Sequence, residues 1–185
     1  LAVGTAPATA DIGLEAAGVE TGPGGFVRVD DELRTSVEGI WAAGDVTGPP
    51  LIAPAGAREG ELAAENMLVP DAHRCIDHRH TPMAVFVDPE IACVGISAAD
   101  AASIGIEAVD TFLDLEGVAK AHVMGQRKGG FVLCSEAQTG RILGAQVAAP
   151  RAADVIHEAA LAVRCGLTVA DLAAAEPTPA QADTD

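Results

Sequence analysis

Apolar side chains at Ile156, Ala159, Ala160 and Val163 recur at i, i+3, i+4 and i+7, which predicts a helix over 152–165 with one buried stripe. Gly166 follows it as a C-terminal stop. A second helix is predicted from about Pro54 to 68, because proline suits a first helical turn and Ala55, Leu62 and Ala63 share one face. Shorter helices are expected at 12–17 before Gly18, at 97–103 behind a Ser97 cap with Gly105 as its stop, and at 169–175 behind a Thr168 cap. Short apolar runs bounded by turn residues predict strands at 1–4, 26–29, 40–43, 83–87, 91–94, 108–113, 131–136 and 141–148. The last two bracket Ala137-Gln138-Thr139-Gly140, a hairpin connection.

These elements divide at a connector flanked by Pro70 and Pro82. Residues 1–70 mix short strands with one long helix, 71–82 read as a linker, and 83–175 read as an α+β domain. Residues 176–185 are polar, contain proline and lack an apolar period, so they are expected to be disordered. No internal repeat occurs.

Charge narrows the possible partners. The 185 residues carry 27 acidic and 11 basic side chains, a formal net charge of −16. Nucleic acid and anionic membrane surfaces both reward clustered Lys and Arg, so neither is expected as a partner. No apolar run approaches the ~20 residues of a membrane helix, and no signal peptide opens the sequence. The first residue is leucine and reads as a strand end, so the chain is expected to be a piece of something longer. Cys75, Cys93, Cys134 and Cys165 form no C-x-x-C or C-x4-C pair, which points to a cytoplasmic protein without a disulfide framework. His73, Cys75, His78 and His80 crowd the connector, but their spacing fits no common zinc pattern, so no metal site is expected. His122 and His157 read as partly exposed histidines, and Cys93 and Cys134 as small core side chains.

The most informative stretch is Thr35-Ser36-Val37-Glu38-Gly39-Ile40-Trp41-Ala42-Ala43-Gly44-Asp45-Val46-Thr47-Gly48. A strand end delivers Asp45 beside Gly44, where no side chain blocks a ligand, and the carboxylate can accept hydrogen bonds from hydroxyls. A few residues on, the start of the Pro54 helix offers backbone N–H groups and a positive dipole end. A sugar-alcohol chain followed by an electron-rich ring suits both, and so does a plain strand–turn–helix with Asp45 capping nearby amides.

The same residues resemble a known family. T-S-x-x-G-I-W-A-A-G-D-V-T-G, with Ala53-Pro54-Ala55 downstream, is similar to the second FAD-binding motif of the pyridine nucleotide-disulfide oxidoreductases, of the dihydrolipoamide dehydrogenase and mercuric reductase type. Val3-Gly4-Thr5-Ala6-Pro7 and Leu14-Glu15-Ala16-Ala17-Gly18-Val19 resemble the segments preceding that motif. Val85-Phe86-Val87-Asp88-Pro89-Glu90-Ile91-Ala92-Cys93-Val94-Gly95 resembles the opening of the family's dimerisation domain, and Thr139-Gly140-Arg141-Ile142-Leu143-Gly144-Ala145 and Leu167-Thr168-Val169-Ala170-Asp171-Leu172 its later landmarks.

The resemblance implies a C-terminal remnant of an FAD-binding Rossmann-like domain followed by an α+β dimerisation domain. It implies that Asp45 binds the FAD ribityl hydroxyls and that Leu51, Ile52, Ala53 and Pro54 line the flavin's pyrimidine side. It places Gly4 where the nicotinamide nucleotide, NAD or NADP, approaches. The family's Arg and Asn after that glycine are Thr5 and Ala8 here. The family's G-x-G-x-x-G and redox-active C-x4-C do not occur in these residues, nor does its separate NAD(P) domain, so the FAD site is partial. The family's His-Pro-Thr segment is echoed by Glu176-Pro177-Thr178, with Gln181 beyond, and a Glu of ordinary pKa near ~4.3 holds no proton at neutral pH. No Cys follows Cys165, so a mercuric substrate is unsupported, and no catalytic residue is assigned. The expected function is therefore the C-terminal segment of an FAD-dependent NAD(P)H oxidoreductase. It would dimerise through 83–175, rely on N-terminal FAD and NAD(P) domains and be inactive alone. The alternative is a non-catalytic dimerisation or interaction module.

Overall fold

The computed structural model describes residues 4–69 and 71–175. The chain falls into two compact units, 1–78 and 79–185.

In the first unit, helix α1 (Leu14–Ala17) closes on Gly18 in the left-handed conformation, φ 79°. The long helix α2 (Ala53–Leu68) carries buried Ala55, Leu62 and Ala63 on one face, as the apolar spacing predicts. Leu62 and Ala63 pack with Leu33 against Val29, Trp41 and Ile76. Leu33, at φ 66°, is held in a turn whose geometry Asp30 sets. Its Oδ1 accepts the Glu32 and Arg34 N–H groups at 3.0 and 2.9 Å.

The first unit also departs from the sequence expectation. The runs 26–29 and 40–43 do not form strands; each makes a single bridge, Thr21 with Val27 and Arg34 with Trp41. With one bridge each, neither run builds a ladder, and their amides bond singly to other segments. Val27 N–H donates to Val46 O at 2.9 Å and Ala42 N–H to Leu33 O at 3.2 Å. Of the strand expected at 1–4, three residues lie outside those described, and Gly4 is in no regular element.

The first part of the predicted linker is not a solvated tether. Ile76 enters the core, and its N–H donates to Asp31 O at 2.8 Å. Asn66 Nδ2 donates to the Glu32 and Arg74 carbonyls at 3.0 and 2.8 Å, while its Oδ1 accepts Arg74 N–H at 2.8 Å. The boundary between units falls after His78, inside the 71–82 segment.

The second unit is α+β. Strands β1 (Met83–Val85), β2 (Ile91–Gly95), β3 (Ala108–Asp114), β4 (Gly130–Glu136) and β5 (Ile142–Ala148) form one sheet in the order β1-β2-β5-β4-β3. Every pairing is antiparallel. Ala92, Val94, Ala145 and Val147 on one sheet face pack on Ile156 and Ala160 of helix α5 (Ala152–Cys165). A smaller cluster joins Ala101 of helix α3 (Ala98–Ser103) to Cys134 and Leu143. β2 and β5 approach where only glycine fits: a Cβ on Gly144 would stand 2.3 Å from Ile96 O, and one on Gly95 2.1 Å from Leu143 O.

Ser97 caps α3 and Thr168 caps helix α6 (Val169–Ala174), each through a reciprocal box with an acidic residue three positions on, Asp100 and Asp171. Helix α4 (Ala119–Val123) was not anticipated; five residues are too few for an apolar period to show. The tail expected to be disordered lies outside the described residues. No described helix is long and apolar enough to cross a membrane.

Candidate functional site

Asp45 opens a single 3-10 turn, Asp45–Thr47, between two glycines. Gly44 sits at φ 82°, ψ −162° and Gly48 at φ 111°, ψ −168°, conformations that a side chain would strain. Thr47 ties the turn together: its N–H and its hydroxyl both donate to Gly44 O, at 2.9 and 2.8 Å. Asp45 itself is exposed.

The chain then runs through Pro49 and Pro50 into α2, whose N-cap Ile52 has no side-chain capping group. Ala55 and Gly56 N–H both donate to Ile52 O, at 3.1 and 3.2 Å. Ala53 and Pro54 occupy the exposed first turn, and Pro54 has no N–H to leave unsatisfied. An uncapped helix start presents its amide dipoles outward, and the carboxylate of Asp45 stands a few residues before it.

Beneath this surface lies a residue the sequence reading did not single out. Glu59 of α2 is 2% exposed. Its Oε2 accepts Gly44 N–H at 2.6 Å and lies 3.4 Å from the Thr47 hydroxyl. Its Oε1 stands 2.8 Å from His78 Nε2. A buried carboxylate is costly unless paired and hydrogen-bonded, and this one is both. The helix also approaches the turn through glycine: a Cβ on Gly56 would stand 3.0 Å from Gly44 Cα. The signal for Glu59 was present, since position 59 shares the helical face of 55, 62 and 63.

Five of the six residues singled out from the sequence, Asp45, Leu51, Ile52, Ala53 and Pro54, thus fall on one loop–helix junction. Gly4 is exposed at φ 128° with open space around it. No hydrogen bond among the described residues ties it to that junction.

The remaining chemistry-bearing side chains have local partners. His73 Nδ1 lies 3.2 Å from Glu32 Oε1, His122 Nε2 2.7 Å from Glu116 O, and His157 Nδ1 3.2 Å from Ala153 O. Among the described residues no three His, Cys, Asp or Glu side chains converge as a metal site. Burial pushes the Cys134 thiol up to about 11, helped by the neighbouring carboxylates of Asp110 and Asp100. Cys75 and Cys165 are exposed free thiols. Glu176, Thr178 and Gln181 lie outside the described residues.

Comparison with known proteins decides the ancestry. Residues 81–182 match the pyridine nucleotide-disulphide oxidoreductase dimerisation domain, and residues 1–66 match pyridine nucleotide-disulphide oxidoreductase. The chain belongs to the pyridine nucleotide-disulphide oxidoreductases. Members of this family are FAD-dependent oxidoreductases, and the second unit of the chain is their dimerisation domain.

Among these oxidoreductases, the mercuric reductase of Streptomyces lividans is 42% identical over 173 residues, covering 94% of this chain and 36% of the relative. Dihydrolipoyl dehydrogenase 3 of Haloarcula marismortui is 35% identical over 172 residues, 93% of this chain and 36% of the relative. The crystal structure of LpdA from Mycobacterium tuberculosis superimposes with a TM-score of 0.87 at 33% identity, over 96% of this chain and 38% of that one. The flavoprotein disulfide reductase RclA from Escherichia coli gives 0.86 at 27% identity, over 98% and 42%. The chain therefore spans about a third of the length of the curated relatives it matches.

Proposed function

We propose that this chain supplies the ribityl and pyrimidine-side contacts of an FAD site, together with the homodimer surface, of a disulfide-reductase-type NAD(P)H oxidoreductase. The observation that carries this reading is the exposed Asp45 carboxylate on a glycine-bracketed turn, directly ahead of the uncapped start of α2. These residues fit that half of the cofactor. The exposed Asp45 carboxylate can accept hydrogen bonds from an approaching chain of hydroxyls. The positive dipole end of α2 favours negative charge at the pyrimidine edge, next to Leu51, Ile52, Ala53 and Pro54. When bound, FAD supplies a two-electron carrier between a nicotinamide and a disulfide or metal substrate. The contribution of this chain is to bind and orient one end of it, with Glu59 holding the turn from below. Gly4 is proposed to border the nicotinamide nucleotide, NAD or NADP.

The adenosine side of the cofactor and the redox-active cysteine pair have no counterpart in the 185 residues. The chain alone is therefore expected to show no flavin absorption band after titration with FAD and to oxidise no NADH. Mixing it with a separately produced N-terminal part bearing G-x-G-x-x-G and C-x4-C should restore a retained flavin, and Asp45→Ala should abolish that retention. Retention unaffected by Asp45→Ala would sink the assignment.

A second reading, a dimerisation module without catalysis, is favoured by the apolar surface of the second unit. Val109, Phe112 and Leu113 on β3 and Val155 and Leu161 on α5 are all exposed. Both readings require a homodimer through 83–175, and monomeric light scattering at high concentration would count against it.

A further inference from the structure

We propose that His78 is a positioning residue for the Asp45 turn. Through the buried carboxylate of Glu59 it fixes the Gly44 amide, and so the seat of Asp45, from the segment that ends the first unit. The proposal rests on Asp45 as the contact for the cofactor's hydroxyls.

The carboxylate works as a strut because both of its oxygens are engaged, one on each side. Oε2 accepts the Gly44 N–H at 2.6 Å, and Oε1 meets His78 Nε2 at 2.8 Å. Glu59 is buried, so neither partner is cheaply replaced by solvent and each contact holds the other in place. Withdrawal of the imidazole would leave the carboxyl group free to rotate away from Gly44. On its near side the turn has no slack, since Gly56 backs onto Gly44 with 3.0 Å left for a Cβ. Moving the turn outward stretches the Glu59 bond. Thr47 carries the restraint onward: its hydroxyl donates to Gly44 O at 2.8 Å and lies 3.4 Å from Glu59 Oε2.

The imidazole end is anchored as well. Ile76, two residues earlier, packs against Leu33, Leu62 and Ala63, and its N–H donates to Asp31 O at 2.8 Å. His78 opens a short 3-10 turn, His78–His80, and its side chain is only 28% exposed. A flat ring on two torsions places its N–H at a fixed distance from Oε1, whereas the long stem of a lysine would let the strut slacken. A change in the course of the chain at 76–78 is therefore felt at Gly44 and Asp45. A buried pair that served stability alone would loosen the whole core when broken; a strut loosens one turn.

The test is amide hydrogen exchange of the ¹⁵N-labelled chain, read at Gly44 and, for the core, at Leu62 and Ala63. His78→Ala is expected to speed exchange at Gly44 about tenfold, while Leu62 and Ala63 change less than about twofold. His78→Asn, polar but too short to reach Oε1, should behave like His78→Ala. His78→Gln, whose amide N–H reaches about as far as Nε2, should restore Gly44 protection to within about twofold. In the mixture with the N-terminal part bearing G-x-G-x-x-G and C-x4-C, His78→Ala should weaken flavin retention about tenfold and His78→Gln should recover it. Unchanged exchange at Gly44, equal acceleration at Gly44, Leu62 and Ala63, or no rescue by His78→Gln would each overturn the proposal. So would flavin retention indifferent to His78→Ala in a mixture where Asp45→Ala abolishes it. Retention indifferent to Asp45→Ala would sink the cofactor assignment instead, and the exchange rates then judge the strut by themselves.

Discussion

Gly56 on α2 faces Gly44 so closely that a Cβ on the former would stand 3.0 Å from the Cα of the latter. The long helix therefore sets the height of the Asp45 turn by backbone contact, without an intervening side chain. Gly56→Ala gains about 1 kcal/mol in helix propensity but must push the turn away, and overpacking of this kind costs about 1–3 kcal/mol. A net loss of about 1 kcal/mol is expected in urea unfolding, accompanied by a change in the Gly44 amide resonance. A net gain in stability would show that the turn yields freely.

Glu59→Ala is expected to do more damage. It leaves the Gly44 N–H without its acceptor, an orphaned group that costs about 1–3 kcal/mol, and takes the carboxylate away from His78. Glu59→Gln keeps a carbonyl oxygen for the Gly44 N–H and should lose less than half as much. Equilibrium denaturation of the two variants compares them directly, and equal losses would assign the effect to the His78 contact rather than to the turn.

Three of the four thiols should separate by reactivity. Cys75 and Cys165 are exposed, whereas Cys134 is 2% exposed with its pKa pushed up to about 11. At mild alkaline pH the first two are expected to react rapidly with a disulfide reagent and Cys134 only after unfolding. Fast native-state modification of Cys134, identified by peptide mapping, would contradict its place in the core.

Acid should loosen the short helices before the core. The Ser97 hydroxyl and amide hold the Asp100 carboxyl below its ordinary 3.8, and the Thr168 hydroxyl and amide do the same for Asp171. A depressed folded-state pKa means that ionisation favours the folded cap. This contribution is fully present above the ordinary value and is lost as pH falls through the lower, folded one. Carbon chemical shifts of Asp100 and Asp171 should therefore titrate below 3.8, with fraying of α3 and α6 in step. Ser97→Ala removes the hydroxyl bond but keeps the backbone N–H, so it should raise Asp100 part of the way towards its ordinary value while leaving Asp171 unchanged.

What could be read in advance depended on how far apart the cooperating residues lie. α5 has the bounds its apolar period predicts, and the Ser97 and Thr168 caps act over three residues. The runs 26–29 and 40–43 carry strand-like composition, yet strands need partners, and each run meets its neighbour at a single bridge. Gly44 and Asp45 announced an exposed turn, because glycine beside a carboxylate is a local signature. Glu59 reaches Gly44 across fifteen positions, and a glutamate inside a helix ordinarily faces water. Only its alignment with Ala55 and Leu62 distinguished it.

β3 stands at the outside of its sheet, seven residues long, with Val109, Phe112 and Leu113 at 52%, 63% and 52% exposure. Its outward backbone groups form a ready template for a foreign strand, and its apolar side chains would reward the match. Asp110 and Asp114 are the two charges along it, and in a second copy laid alongside they would meet their own kind. At this edge, discouragement of strand pairing thus falls to two carboxylates. Neutralising both, as in Asp110→Asn with Asp114→Asn, should turn a well-behaved solution into one prone to strand-by-strand growth.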